Sequence, residues 1–307
     1  MQFNPKQIAF GRHESFALRF SWLTKGFQQF ERDNKIFSID DAVVRLGVGK
    51  NMVNSIRHWL RAAQLINYSP NKKESTVLGR SIFSEHGGWD PYLEDEATIW
   101  LLHWLLTTNS AQATSWYWFF NLFHKPEFTG QEVANALVDF ANENIEAKFS
   151  IPSVKKDCAV LLRTYVQSKG GTKALLEDIL DSPLSLLRLI TYSPATKSYQ
   201  SRLERRDSVP IGIFCYAIAD LFLKRNLETI PIEELMYSRN GFVAPGLLFR
   251  LTENALLTKL EQLVNYIPGV FKLDDTAGVH QLYRLHEFEP FKYLEKHYNT
   301  RQQDKAA

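Results

Sequence analysis

Residues 38–65 read SIDDAVVRLGVGKNMVNSIRHWLRAAQL, and this stretch decides the predicted fold of the N-terminal part. The hydroxyl of Ser38 is suited to cap a short helix, because it can accept a hydrogen bond from a free N–H of the first turn. Gly47 is suited to end that helix. After the Gly-Val-Gly turn, a second helix is predicted to begin near Lys50. Two helices joined by a glycine turn predict a helix-turn-helix.

The second helix of this stretch has two distinct faces. Four apolar residues follow the three-four spacing of one buried face: Val53, Ile56, Leu60 and Ala63. Polar and basic side chains occupy the opposite side: Lys50, Asn51, Asn54, Ser55, Arg57, His58 and Arg61. No Asp or Glu occurs between Arg45 and Lys73. These features predict that the helix lies in a groove of double-stranded DNA, with these side chains as DNA ligands.

A β hairpin is predicted directly after the second helix. Residues 65–68 suit a strand, residues 69–74 a polar turn and residues 76–78 a returning strand. Lys72 and Lys73 at its tip are positioned to reach a phosphate or the minor groove. The dipeptide Leu78-Gly79 suits the closing of such a wing. The alternative interpretation is a winged helix that contacts only other proteins.

Composition limits the kind of nucleic-acid site. The 307 residues are 45% hydrophobic and carry a net charge of +2, so a DNA site must be a local patch. We predict a mainly α protein with three domains. These are a winged helix-turn-helix (1–86), a helical middle domain (87–208) and a helical, winged-helix-like domain with a small β hairpin (209–307).

Several classes of site and location are not expected. The two cysteines, Cys158 and Cys215, lie in apolar surroundings and are interpreted as reduced thiols of a cytoplasmic protein. Two cysteines cannot build a Cys₄ or Cys₂His₂ zinc site, and neither a haem nor a nucleotide site is expected. No signal peptide or membrane-spanning segment is predicted, because the most apolar stretch, residues 99–123, is broken by polar residues.

The N-terminal and middle segments are predicted to be helical. Residues 10–30 suggest an amphipathic helix with His13 and Glu14 at its start, either as a capping pair or in a functional role. The tryptophan-rich residues 94–123 suit a helical core better than a base-stacking surface. A helix opening near residues 151–153 carries Lys155 and Lys156 in its first turn, which suits a visiting anion or a solvated face.

A second basic cluster and a repeated pattern follow. Arg202, Arg205 and Arg206 form a patch for the DNA backbone or for another subunit, and the polar stretch 193–198 suits a hinge or surface loop. From residue 211 onward, the order helix, short helix, long helix, hairpin repeats that of the N-terminal part. The long helix at 251–266 is nearly neutral, so a partner or homodimer contact suits it better than DNA.

Candidate catalytic groups are few and scattered. Phosphodiester cleavage with a divalent cation needs carboxylates, together with a base or a water-positioning group. The candidates are His13, Glu14, Asp157, Asp274 and Asp275, the last two in a predicted hairpin turn. Adjacent aspartates in a turn are more often turn-forming residues than metal ligands. The metal ligands stay unassigned.

Six stretches resemble one bacterial protein family. They are FGRHESFALRFSWLTKGF (10–27), LGVGKNMVNSIRHWL (46–60), DPYLEDEATIWLLHWLL (90–106), VKKDCAVLLRTY (154–165), APGLLFRLTENAL (244–256) and DDTAGVHQLYRL (274–285). The chain resembles the SspB-like family of DNA nickases associated with DNA phosphorothioation in phage-defence islands. The resemblance implies a protein that nicks one strand of duplex DNA so that sulfur can enter the backbone. For such cleavage, the chemistry of phosphodiester hydrolysis leads us to expect Mg²⁺ or Mn²⁺ as the cation. The resemblance also implies a cysteine desulfurase, a sulfurtransferase and an ATPase as partners, and it assigns no catalytic residue.

Three hypotheses follow from the sequence. The first is a DNA-binding nickase that supports phosphorothioate modification. The second is a non-catalytic winged-helix adaptor or transcription regulator that binds DNA and recruits partner proteins. The third is a protein-interaction module whose wings bind only other subunits.

Overall fold

The structure is a computed structural model that describes residues 1–167, 182–276 and 279–306. About half of the described residues are helical, and the strands form small antiparallel sheets. The protein is therefore mainly α. The chain divides into two compact units, here called the first unit (Asn4–Phe119 and Lys125–Arg202) and the second unit (Met1–Phe3, Phe120–His124 and Leu203–Ala307).

The N-terminal half of the first unit contains a helix pair followed by a hairpin. Its elements are α1 (Phe20–Arg32), a 3₁₀ helix (Ile36–Ser38), α2 (Ala42–Leu46), α3 (Lys50–Ala62), β1 (Ile66–Ser69), β2 (Lys72–Ser75) and α4 (Val77–Phe83). Strands β1 and β2 pair antiparallel, with Tyr68 opposite Lys73. The order helix, glycine turn, helix and hairpin agrees with the order predicted from the sequence.

The rest of the first unit packs around buried aromatic side chains. Its elements are α5 (Glu96–Thr107), α6 (Thr114–Asn121), β3 (Glu127–Phe128), α7 (Gly130–Asn144), α8 (Ile151–Tyr165), a 3₁₀ helix (Pro183–Leu187), β4 (Thr191–Ser193) and β5 (Ser198–Gln200). The three strands form one sheet in the order β3-β5-β4. Trp100, Trp104 and Trp116 are at most 1% exposed, which confirms the predicted helical core.

The second unit combines helices with a three-stranded sheet. Its elements are α9 (Ile211–Arg225), β6 (Thr229–Pro231), α10 (Ile232–Met236), α11 (Pro245–Leu248), α12 (Glu253–Tyr266), β7 (Phe271–Thr276), β8 (Val279–Arg284) and α13 (Pro290–Ala306). The strand order is β6-β8-β7, so the predicted hairpin is extended by one strand. Thr252 caps α12 by accepting from the N–H of Ala255, as its position in the sequence indicates.

The predicted helix over residues 10–30 begins ten residues later, at Phe20. Glu14 and Ser15 have φ angles of 50° and 67°, in the left-handed region that a right-handed helix excludes. His13 is 1% exposed and turns inward. The predicted capping pair is therefore wrong, because a tertiary contact of His13 replaces the local helix.

The helix start predicted at Ser38 is also wrong. Ser38 ends a 3₁₀ helix, and its hydroxyl shares a hydrogen bond with the hydroxyl of Tyr68 on β1. Helix α2 starts at Ala42 instead, with Asp41 before it and no side-chain cap. Gly47 ends α2 with φ 60°, as predicted, because this conformation favours glycine.

The returning strand of the hairpin lies earlier than predicted. Strand β2 is Lys72–Ser75, and residues 77–83 form helix α4 rather than a strand. Thr76 caps α4 by accepting from the N–H of Gly79. Gly79 therefore does not close the wing; it lets α4 approach the carbonyl of Leu65.

We expect Gly79→Ala to lower the free energy of unfolding by about 1–3 kcal/mol, the usual cost of overpacking. A Cβ at this position would overlap the carbonyl oxygen of Leu65 and lie 2.5 Å from the ring of Phe27. Gly49→Ala is the matched control, because no atom lies within 4 Å of its added Cβ. Urea unfolding of both variants tests this; equal stability would contradict the close approach.

The stretch 193–198, predicted as a hinge or surface loop, contains the exposed turn that joins the paired strands β4 and β5, so the loop prediction is confirmed. Asp274 and Asp275, predicted in a turn, pair with Gln281 and His280 inside strand β7. The turn at Gly170-Gly171 and the short helices predicted near it lie outside the described residues.

Other predictions are confirmed. The spacing of Thr129 and Glu132, three residues apart in the sequence, predicts a capping box, and helix α7 has it. Cys158 and Cys215 are free and buried, and burial raises the pKa of both thiols. Within the described part of the chain, no helix has the length and apolar character needed to span a membrane. The division into domains 1–86, 87–208 and 209–307 stays a prediction.

Candidate nucleic-acid interface

Helix α3 packs into the first unit through the apolar face that was predicted from the sequence. Val53, Ile56 and Leu60 are at most 5% exposed. On α1, a Cβ at Gly26 would overlap Ile56, so the two helices pack closely. Gly49, with extended ψ of 160°, precedes the first helical residue, Lys50. This packing fixes which side of α3 faces outward.

The outward side carries five of the seven predicted polar residues. Lys50 and Asn51 are exposed, and Asn54, Arg57 and Arg61 are partly exposed. Ser55 and His58 are instead buried, at 0% and 6% exposure. The prediction that Ser55 and His58 contact DNA is therefore wrong, because both lie at the edge of the polar face and point into the core.

The hairpin joins the outward side of α3 through Tyr68. The guanidinium of Arg57 lies 5.5 Å from the centre of the Tyr68 ring, and its Nη2 donates to Asn54 Oδ1 at 3.2 Å. Lys73 Nζ lies 4.9 Å from the same ring. Cation–π contacts of this kind hold a charge in place without neutralising it. Lys73 thereby belongs to the same charged surface as Arg57.

Lys72, the other predicted hairpin cation, has a partner. Its Nζ lies 2.9 Å from Glu74 Oε1, and this contact is the first cause of the lowered pKa of Glu74. Both side chains are more than half exposed, so the pair is weak. Lys72 therefore offers less positive charge to an anion than Lys73 does.

Arg12, which lies outside the helix-turn-helix, belongs to the same positively charged surface. Partial burial lowers the pKa of Arg61, followed by the positive charges of Arg57 and Arg12. No carboxylate is among the groups that act on Arg61 in the described residues. Arg12 and Arg57 thus lie close enough to Arg61 for their charges to act on it, and all three arginines act on His58. We call this set the basic surface: Arg12, Lys50, Asn51, Asn54, Arg57, Arg61 and Lys73.

His58 lies beneath the basic surface and is held neutral. Burial, and then the neighbouring His13 and three arginine side chains, lowers the pKa of His58 from 6.5 to about 3. Its ring centre is 5.3 Å from that of Trp59 and 6.1 Å from that of His13. A charged His58 would add to the positive charge already present, so the fold excludes it.

We expect His58 to make the protein less stable in acid. Unfolded His58 takes up a proton near pH 6.5, whereas folded His58 does so only near 3. Its contribution to stability is therefore full above pH 6.5 and is lost as the pH falls towards 3. Urea unfolding at several pH values should show a weaker acid loss in His58→Gln than in the exposed control His86→Gln. Identical pH profiles would contradict a neutral His58.

Two predicted catalytic residues, His13 and Asp157, meet in a buried hydrogen-bond network. Asp157 Oδ1 accepts from Gly11 N at 2.6 Å and from His13 Nε2 at 2.9 Å. Its Oδ2 accepts from Ser115 Oγ at 2.9 Å. The Ser15 N–H donates to His13 Nδ1 at 3.1 Å, so Nε2 carries the proton given to Asp157.

This network suits a structural role better than a reaction. The side chains of His13 and Asp157 are 1% and 2% exposed, so a scissile phosphate does not reach them. The His13 ring is enclosed by Trp59 and Trp116, at centroid distances of 6.2 and 6.0 Å. The network fastens the segment before α1 onto α8, which positions Arg12.

The other catalytic candidates do not join this network. Glu14 is exposed. Asp274 belongs to the second unit and pairs with Lys272 Nζ at 2.6 Å, and Asp275 follows it in the same strand. Residues 1–167, 182–276 and 279–306 contain no group of three His, Cys, Asp or Glu side chains arranged to hold a metal ion.

The second predicted basic cluster is partly neutralised. Arg205 Nε lies 2.8 Å from Asp207, and Arg206 Nη1 lies 3.1 Å from Glu204. The Arg206 side chain is only 9% exposed, and Arg202 belongs to the first unit while the other two belong to the second. This arrangement favours a structural role for Arg206 over a DNA contact.

The comparisons with known proteins agree with a mainly α fold. A family model described as a protein of unknown function, DUF4007, matches residues 10–298. The chain belongs to this family. A search of the curated proteins gave no match.

Two solved structures are similar over nearly the whole chain. A crystal structure of magnesium ion-bound SspB has a TM-score of 0.82 and 29% identity, covering 95% of this chain and 88% of that one. A second SspB crystal structure has a TM-score of 0.81 and 28% identity, covering 96% of this chain and 90% of that one. The similarity agrees with the SspB-like resemblance inferred from the six sequence stretches.

Proposed function

We propose that the chain binds double-stranded DNA through the basic surface, with α3 in the major groove and the β1–β2 hairpin as a wing. The observation that carries this proposal is the convergence of Arg12, Arg57 and Arg61, whose charges all act on His58 beneath them, while no carboxylate acts on Arg61 in the described residues. Arginine side chains without a carboxylate partner are suited to phosphates and to guanine edges. In this proposal residues 1–86 form a winged helix-turn-helix, and the second unit serves contacts with partner proteins or a second copy.

The proposed activity is the nicking of one DNA strand in support of phosphorothioate modification in phage defence. The support for it is the likeness to SspB and the resemblance of six stretches to the SspB-like nickase family. In this role the protein works in the cytoplasm. Its proposed partners are the sulfur-transfer proteins of such a system: a cysteine desulfurase, a sulfurtransferase and an ATPase.

Magnesium enters the proposal from one of the SspB structures, which holds this ion. The donor groups of the described residues do not form a ready site for it, since no three candidate ligands converge there. Asp157, one of the catalytic candidates, already accepts three hydrogen bonds. We therefore assign no residue to magnesium and no reaction step to a metal-bound group.

A supercoiled plasmid tests the nicking activity. We expect purified protein with Mg²⁺ or Mn²⁺ to convert supercoiled plasmid into open circles, and Arg57→Ala/Arg61→Ala to slow the conversion because it weakens binding. Lys125→Ala/Lys197→Asn removes two exposed cations elsewhere in the first unit and should leave the rate unchanged. Asparagine is chosen at position 197 because Lys197 has φ 52°.

The plasmid assay also separates the alternative function. A non-catalytic adaptor that recruits partners would bind the plasmid and leave it supercoiled with every divalent ion. The specific observation that favours this alternative is the burial of His13 and Asp157. DNA binding without any relaxation would sink the nickase proposal and leave the adaptor. A chain that binds no DNA would support the third hypothesis, a protein-interaction module.

A further inference from the structure

A cleft of about 590 Å³ lies in the first unit and is lined by parts of residues 6–12, 111–112 and 147–153. This volume falls within the range of sites that hold small molecules or single groups of a polymer. Arg12, a member of the basic surface, lines it. The cleft is therefore connected to the basic surface through a shared residue.

Backbone hydrogen bonds hold the walls of the cleft in place. The carbonyl of Pro5 accepts from the N–H groups of Glu146 and Ala147 at 3.0 and 3.2 Å. The N–H of Ala9 donates to Thr114 Oγ1 at 2.9 Å. The Asp157 network fixes Gly11 and His13 on either side of Arg12. The cleft is thus formed before any ligand arrives.

The charges that line the cleft are positive. Lys6, Arg12 and Lys148 are lining residues, and no Asp or Glu is among the residues that form its walls. Lys6 Nζ forms an exposed ion pair with Glu146 Oε2 at 3.6 Å, which solvent weakens. Arg12 and Lys148 form no ion pair within the described residues. Ser150, which also lines the cleft, caps α8, so the positive end of that helix dipole adds to the three cations.

Two aromatic rings share the cleft with these cations. Phe10 and Phe149 lie with ring centres 6.2 Å apart and planes at 61°, and both are partly exposed. Cations beside accessible aromatic rings are typical of sites for unpaired nucleic acid, where phosphates meet the charges and bases stack on the rings. In a duplex the bases are stacked on each other and do not reach such rings.

We propose that this cleft binds an unpaired stretch of DNA, with phosphates at Arg12 and Lys148 and a base against Phe10 or Phe149. The inference rests on the proposed function only in choosing DNA as the polymer. Duplex bound along α3 and an unpaired strand bound in the cleft then share Arg12. A protein that opens one strand would hold the opened strand here.

Fluorescence anisotropy with a labelled six-nucleotide oligo-dT and the full chain tests the cleft. We expect Phe149→Leu to weaken binding about 5- to 100-fold, the range found for loss of one base-stacking contact. Lys148→Ala should reduce the slope of log affinity against log salt by about 0.7, the value for one phosphate of a single strand. Circular dichroism and urea unfolding of each variant verify that it folds like the parent.

Matched controls lie elsewhere in the first unit. Lys125→Ala removes an exposed cation before the start of α7, whereas Lys148 follows the end of α7. The helix between them has 15 residues and is about 22 Å long. Tyr92→Leu removes an aromatic ring that is 65% exposed. Both controls should bind oligo-dT like the parent.

Two results would overturn the proposal. They are no binding of oligo-dT by the parent, and equal binding of oligo-dT by the cleft variants and the parent. Failure of the proposed function would look different. In that case the parent protein would not bind duplex DNA, while the oligo-dT results would be as expected.

Discussion

Replacing Asp157 with alanine is expected to lower the free energy of unfolding of the first unit by about 3–5 kcal/mol, because three buried donors lose their acceptor at roughly 1–3 kcal/mol each. The substitution leaves three buried donors without their acceptor: Gly11 N–H, His13 Nε2 and Ser115 Oγ. Each unsatisfied buried donor is costly because water does not replace the lost bond. Tryptophan fluorescence during urea unfolding measures the effect, since Trp59 and Trp116 adjoin His13.

Asp139→Ala is the matched control for this prediction. Asp139 is an exposed aspartate within α7, so its replacement should change stability by less than about 0.5 kcal/mol. A stable Asp157→Ala variant that no longer nicks plasmid would contradict the structural role. That outcome would make Asp157 a catalytic residue.

The second large effect is expected for Arg57→Ala/Arg61→Ala in duplex binding. Each arginine should cost about 1–3 kcal/mol in binding free energy, and each lost phosphate contact should reduce the salt slope by about 0.9. The first unit should keep its stability, because both side chains are partly exposed and neither has a carboxylate partner in the described residues. Anisotropy titrations with a labelled duplex at several salt concentrations measure both quantities.

The control for the duplex titrations is Lys125→Ala/Lys197→Asn, which removes the same amount of charge from the first unit. If DNA binding were only a response to net charge, both double variants would lose affinity equally. A loss confined to the α3 variant is the expected result. Equal losses would mean that the basic surface is not the binding site.

The sequence correctly predicted those helix boundaries and buried faces that depend only on residues close to one another in the chain. The glycine turn predicted a start of α3 near Lys50, and the three-four apolar spacing predicted its buried residues Val53, Ile56 and Leu60. Gly47 was correctly predicted to end α2, since a left-handed residue after a helix favours glycine. Thr129 and Thr252 cap α7 and α12 because their hydroxyls accept from free N–H groups of the first turn, which is also a local cause.

Contacts between residues distant in sequence explain the wrong predictions for His13 and His58 and the failure to predict Arg12. His13 and Asp157 are 144 positions apart, and their hydrogen bond turns the segment before Phe20 away from a helix. Helical spacing placed His58 at the edge of the polar face, and only packing against His13 and Trp59 shows that it is buried. Arg12 joins Arg61 through the same tertiary fold, so no pattern near α3 indicated it.

Photo-cross-linking from Asn54 tests the central claim most directly. Asn54 lies on the outward side of α3 and contacts Arg57, so a photoreactive amino acid in its place would face the groove of a bound duplex. We expect cross-links to duplex DNA from position 54, and none from the exposed Asn142 of α7. Absence of cross-links from position 54 in protein that binds duplex would contradict the placement of α3 in the groove.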